Sequence, residues 1–339
     1  MEMRKFLGIT VLLAGLSGMA GLAQTNDFYD DAETVKLSLQ SLTVSGEVAN
    51  PGNIDLSALP MHSVIVKETL LEGEKDHFVG AYRYDGYSLY DILDRIVLKK
   101  KNETHFPPII DLYVEIENEK NEKVVFSWGE IYYPIHRHEI LLATQVARIV
   151  PSKTKDLWPL PTESRLVVAS DLLTHRNISN PTKITIHSYT GDFVINKGMK
   201  PMVAESFSIM NQDKKVQEVS KVPGQMINYT YPSVFYGRGT GIHGTTPFEG
   251  VLLKEMLKDF VKLSVENLQK GLIIIAGKDG YHAAYTFSEI MNRNDQAEFL
   301  VISTPANEDG GAFKIYPSAD FFSDRAIKSV ESIRFVLDK

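Results

Sequence analysis

The residues best suited to chemistry sit in one glycine-rich loop, Tyr236-Gly237-Arg238-Gly239-Thr240-Gly241-Ile242-His243-Gly244-Thr245-Thr246. Glycines let backbone N–H groups approach an anion closely. Arg238 adds a planar fork of donors suited to a phosphate or carboxylate, and His243 and Thr245 can orient the bound group. The candidate ligand-binding set is therefore Arg238, Gly239, Gly241, His243 and Thr245, joined by Tyr281 and His282 just after an Asp279-Gly280 turn. The loop lacks the Gly-Lys-Ser/Thr ending of a nucleotide-phosphate loop. A second pattern, His136-x-His138-Glu139, places two imidazoles on one side if the segment is extended. A third metal ligand is not evident beside it, so no metal site is assigned. No Gly-x-Ser-x-Gly elbow marks a nucleophile, and the catalytic residues stay unknown. The chain has no cysteine, which excludes disulfides, thiolate metal sites and cysteine nucleophiles.

The elements that must position these residues occur twice. Leu42–Pro60 and Phe207–Pro223 are each an alternating strand, a polar turn and an amphipathic piece. YDGYSLYDIL (Tyr84–Leu93) matches FEGVLLKEML (Phe248–Leu257), each an aromatic-acidic-glycine start followed by apolar residues at helical spacing. Three further pairs follow in the same order: Asp111–Asn118 with Gly271–Tyr281, Val124–Ile131 with Ala283–Ile290, and Glu139–Thr144 with Glu298–Thr304. Arg165–Ser188 and Phe313–Asp338 close the two series. Constant order at nearly constant offset implies a duplication, with one domain over 38–190 and a second over 200–339. Helices are expected over Ser88–Val97 and Val251–Val261 among a larger number of strands, which makes the class α+β. The Asp279-Gly280 pair predicts a tight hairpin. His175-Arg176 and Asp324-Arg325 occupy equivalent places before the closing strands and read as ion-paired turns. Trp128 and Trp158 read as core or interface aromatics.

The block order of strand, turn and Leu-Pro, then aromatic-x-Gly-x-x-Leu-x-x-(Ile/Met)-Leu, then strand-Asp-Gly-Tyr-strand, resembles the molybdopterin-binding domain of the sulfite oxidase family. The second copy carries it more clearly, through LIIIAGKDGYHAAYTFSEI. The resemblance implies two tandem mixed, β-rich domains of that kind and a pocket for a molybdenum pterin. In that family a cysteine thiolate binds the metal, in the windows that correspond here to Met61–Ala81 and Gly224–Pro247. Neither window contains cysteine, so molybdopterin is implied by resemblance and disfavoured by the donor set.

Residues 1–23 read as a secretory leader: Arg4 and Lys5, an apolar stretch from Phe6 to Leu16, and small residues at Gly21 and Ala23. Residues 24–37 read as a linker. The expected address is the periplasm or the extracellular space, with a soluble mature chain and no membrane span. A net charge of -7 argues against nucleic acid as a partner. The function these readings favour is an exported ligand-binding or partner-docking protein, taking a small anionic ligand or an exported protein partner. The alternative is an active molybdopterin-dependent oxidoreductase that holds its cofactor without a protein thiolate.

Overall fold

A computed structural model describes residues 32–338 apart from 152, 233–234, 238, 240, 245–246 and 306–309; of Phe235, His243 and Gly244 only the backbone is described. The first half contains β1 (Val35–Lys36), β2 (Thr43–Gly46), β3 (Gly52–Asn53), β4 (Met61–Glu72), β5 (Lys75–Ser88) and α1 (Leu89–Leu93). It continues with β6 (Leu112–Asn118), β7 (Lys123–Ser127), α2 (Trp128–Tyr132), β8 (Ile140–Arg148), β9 (Arg165–Val168) and β10 (Pro181–Ser188). The second half contains β11 (Phe207–Asn211), β12 (Lys214–Val219), β13 (Asn228–Tyr231), β14 (Phe235–Gly237), β15 (Gly241–Gly244), β16 (Phe248–Leu252), α3 (Leu253–Leu257) and α4 (Val265–Lys270). It ends with β17 (Gly271–Gly277), β18 (His282–Thr286), α5 (Phe287–Met291), β19 (Leu300–Ser303), β20 (Phe313–Tyr316), a 3-10 turn at Ser323–Arg325 and β21 (Val330–Leu337).

The α+β expectation fails. Strands make up 44% of the described residues and helices 10%, and four principal sheets lie in a propeller-like, four-blade arrangement rather than as tandem sulfite oxidase-like domains. The reason is visible at the first expected helix. The period Leu89, Ile92, Leu93, Ile96 supports only one turn, and α1 stops at Asp94. Residues 97–99 then pair with 47–49: Ala49 N–H donates to Val97 O and Lys99 N–H to Glu47 O. Bonds to a distant strand satisfy the backbone that a longer helix would have satisfied locally. α3 covers only Leu253–Leu257 of the expected Val251–Val261: Val251 and Leu252 belong to β16, and beyond Leu257 the backbone turns locally, with Val261 N–H donating to Leu257 O.

The two halves repeat one topology. One sheet runs β3-β2-β10-β6-β7 and its counterpart runs β12-β11-β21-β17-β18. In both, the first strand of the series pairs parallel to the last, β2 with β10 and β11 with β21. The other sheet runs β4-β5-β8-β9, with β1 also on β8, and its counterpart runs β13-β16-β19-β20. Ser88 stands opposite Leu141, as Leu252 stands opposite Leu300. This register makes Leu141 the equivalent of Leu300 and Leu142 that of Val301.

The halves meet face to face through the β6–β7 and β17–β18 sheets. Val125, Leu272, Ile274 and Ala284 are buried there, and Ala284 N–H donates to Ile110 O across the boundary. Every residue of β17 is buried, because both of its faces are covered. Beside this contact lies a nearly symmetric ionic cluster. Arg176 is held by Asp171 at 2.7 Å and Glu130 at 3.0 Å; Arg325 is held by Asp320 at 2.7 Å and Glu289 at 2.5 Å. Each guanidinium also crosses to the other half, Arg325 to Ser127 Oγ and Arg176 to Thr286 Oγ1. Ser127 and Thr286 are the N-caps of α2 and α5, with Glu130 and Glu289 closing a capping box in each. Burial pushes the Glu130 carboxyl up to about 7, against the pull of Arg176, and the Asp320 carboxyl up to about 6, against Arg325. The expectation of ion-paired turns at Arg176 and Arg325 is met by Asp171 and Asp320 in the same loops, to which α2 and α5 add Glu130 and Glu289.

Candidate metal centre

Among the described residues, one group of side chains could hold a metal ion: His62, Asp91 and His138, whose ligand atoms lie within 4.8 Å of one another. Three elements bring them together. His62 lies near the start of β4 and pairs with Gly86 on β5. Gly86 is required by the next strand, since a Cβ there would come within 2.1 Å of Leu142 O on β8. Asp91 is in the first turn of α1, and its N–H donates to the N-cap Ser88 Oγ. His138 stands just before β8.

His62 Nε2–H donates to Asp91 Oδ2 at 2.7 Å, and Ser88 Oγ–H donates to the same oxygen at 2.8 Å. That leaves His138 Nδ1–H to donate to Ser88 Oγ at 3.0 Å, with Asp91 Oδ2 3.7 Å away. The two imidazoles stack almost parallel, with centroids 3.9 Å apart. Burial and the neighbouring His62 push the His138 pKa down, and Asp91 pulls it up. Neutral imidazole is the form that binds metal. Ligands on a tetrahedral zinc lie roughly 3.3 Å apart, from bond lengths of about 2.0–2.1 Å. The separations of the two imidazoles from Asp91, 2.7 and 3.7 Å, bracket that spacing, and all three ligand atoms lie within 4.8 Å of one another. A cation at this point would take the place of the His62 proton facing Asp91 and the His138 proton facing Ser88, each ring then keeping its proton on the other nitrogen.

The cluster belongs to the first half alone. By the paired registers, the equivalents of His62, Asp91 and His138 are Tyr229, Glu255 and Ala297.

Beside the cluster runs a column of rings. His138 meets Tyr90 edge-on at 5.7 Å, Tyr90 lies 5.1 Å from Tyr132, and Tyr132 stacks on Trp128 at 4.6 Å. Tyr90, Trp128 and Tyr132 wall a groove of about 290 Å³ that Arg137 and Phe322 also line.

The structure distributes the sequence-selected residues differently. His136 is exposed, Glu139 is half-buried, and neither joins His138 in the cluster. In the glycine loop, Arg238 and Thr245 lie outside the described residues, as does the side chain of His243. Gly241 opens β15 with φ +76°, Gly239 stands in the exposed turn between β14 and β15, and Tyr236 stacks on Phe321 at 5.5 Å. The Asp279-Gly280 turn is the expected hairpin, with Gly280 at φ +78°. His282 is buried between Phe106 and Phe193, its centroid 4.1 and 4.4 Å from theirs, and burial pushes its pKa down to about 4. Tyr281 lines a cavity of about 300 Å³ with Phe106, Pro107, Pro108 and Ile195. Trp128 is buried, and Trp158 Nε1–H donates to Ile149 O.

Sequence reasoning missed His62 and Asp91. Ser88-x-x-Asp91 before an apolar run is a helix-start signature that places Asp91 in a first turn. No local signal joins His62 to it, because their contact depends on the pairing of β4 with β5.

The molybdenum pterin does not fit these residues. The Met61–Ala81 window folds into the β4–β5 hairpin, and its donor at the cluster is the imidazole of His62, not a soft thiolate. The secretory leader lies outside the described residues; among those described, no helix is long and apolar enough to cross a membrane. No protein-family model and no curated protein matches the chain.

Proposed function

We propose that this chain is an exported binding protein that holds one divalent transition-metal ion through His62, Asp91 and His138. The observation that carries the reading is the convergence of two imidazoles and one carboxylate from three separate elements on a single point. Two nitrogens and one oxygen suit zinc, copper(II) or nickel better than magnesium or calcium, which prefer all-oxygen sites. Three protein ligands leave a coordination position open to water or to a group from a ligand or partner. The ligand-binding or partner-docking reading thus gains a defined centre. The oxidoreductase alternative through molybdenum lacks its thiolate. Export rests on the leader sequence of residues 1–23.

The test is calorimetric titration of the chelator-treated protein with zinc chloride and, separately, copper(II) chloride. One ion per chain is expected. His62→Ala and His138→Ala should each weaken binding by at least roughly 100-fold, while keeping the wild-type circular dichroism spectrum. Absence of stoichiometric binding, or equal binding by both variants, overturns the assignment.

A further inference from the structure

The groove beside the metal cluster has its own chemistry. Its walls are Tyr90, Trp128, Tyr132 and Phe322, with Leu93, Ile96, Leu98 and Ile109 completing an apolar lining. Arg137 reaches into it, its guanidinium 5.2 Å from the centre of the Tyr90 ring, and Nη1–H donates to Tyr90 Oη at 3.1 Å. Among the described residues Arg137 forms no ion pair, which sets it apart from Arg176, Arg325, Arg165 and Arg293. Tyr90 therefore holds a half-buried cation in place while the rest of its N–H fork is left for an incoming acceptor.

We propose that this groove binds small single-ring aromatic carboxylates, with the carboxylate on Arg137 and the ring against the aromatic walls. Three observations select that class. The volume, about 290 Å³, is at the lower end of ligand pockets and suits a small molecule. The lining is aromatic and aliphatic, so the body of the ligand is apolar. The groove also contains a carboxylate, Asp94, but Asp94 is exposed to solvent while Arg137 is half-buried. Screening weakens the exposed charge more than the sheltered one, so an anionic ligand is favoured over a cationic one. A planar guanidinium held by one bond matches a carboxylate better than a point charge does. The glycine hairpin borders the same region, since Tyr236 lies against Phe321 and Phe322.

The site is separate from the metal cluster, whose ligands do not line it, so the two readings can fail independently. The experiment uses the full mature chain carrying Trp158→Phe, which leaves Trp128 as its only indole. Benzoate is titrated by fluorescence, and calorimetry on the unmodified chain provides a second measurement. A saturable change in both is expected. Arg137→Met should weaken benzoate at least about tenfold and still bind one zinc ion per chain, with Arg137→Lys recovering part of the loss. No saturable response to benzoate overturns the proposal even if zinc binds. So do equal binding by Arg137→Met, cyclohexanecarboxylate binding as tightly as benzoate, or phenethylammonium binding more tightly than either. Loss of zinc binding with benzoate binding intact refutes the metal centre alone.

Discussion

Replacing Arg325 with methionine tests the cluster that holds α2, and with it Trp128 and Tyr132, in place. Arg325 is 0% exposed, and its partners Asp320 and Glu289 are 0% and 1% exposed. Methionine fills much of the volume but leaves two buried carboxylates without their cation. Breaking a buried pair in this way costs about 3–5 kcal/mol, a large share of a typical stability of about 5–15 kcal/mol. The assay is urea denaturation followed by tryptophan fluorescence and circular dichroism together, at pH 7.5 and pH 5.5. Burial already pushes Asp320 up to about 6 with the guanidinium beside it, and removing the guanidinium raises it further. The folded variant then gains a proton more readily than the unfolded chain as pH falls, so its deficit relative to wild type should shrink at pH 5.5. Adding Asp320→Asn and Glu289→Gln to Arg325→Met should restore at least half of the loss, because uncharged side chains no longer need the cation. A deficit below about 1 kcal/mol at pH 7.5, or one that does not change with pH, would refute the reasoning.

Zinc at 100 times its dissociation constant should stabilise the wild-type chain by about 2.7 kcal/mol in the same assay, and Asp91→Asn should abolish most of that gain. His282, whose pKa falls to about 4 in the folded chain, contributes stability that is present above pH 6.5 and declines as pH drops from there toward 4. The span corresponds to at most about 3 kcal/mol, and His282→Phe should flatten that part of the stability-against-pH curve. Gly86→Ala places a Cβ 2.1 Å from Leu142 O; the forced separation of β5 from β8 should cost about 1–3 kcal/mol or more and weaken zinc binding, measured by calorimetry, through the displaced His62.

Several features were legible in the sequence because they depend on neighbours along the chain. The Asp279-Gly280 hairpin follows from a turn that needs φ > 0 at glycine, which Gly280 supplies. The repeated block order is a property of the sequence itself, and both halves show the same strand order, down to parallel β2–β10 and β11–β21. Arg176 and Arg325 stood out as paired charges before the closing strands. Tertiary structure decided the rest. Whether Leu89–Ile96 continued as helix depended on residues 47–49 offering their backbone to residues 97–99, which no local period reveals. Beyond the local carboxylates Asp171 and Asp320, the arginines' remaining partners came from capping boxes on both halves, where burial demands that every charge be matched. His138 was legible as a candidate ligand beside His136, yet its companions proved to be His62 and Asp91. That choice was made by the register of β4 on β5 and by the single turn of α1, and register is set by long-range packing rather than by residue spacing.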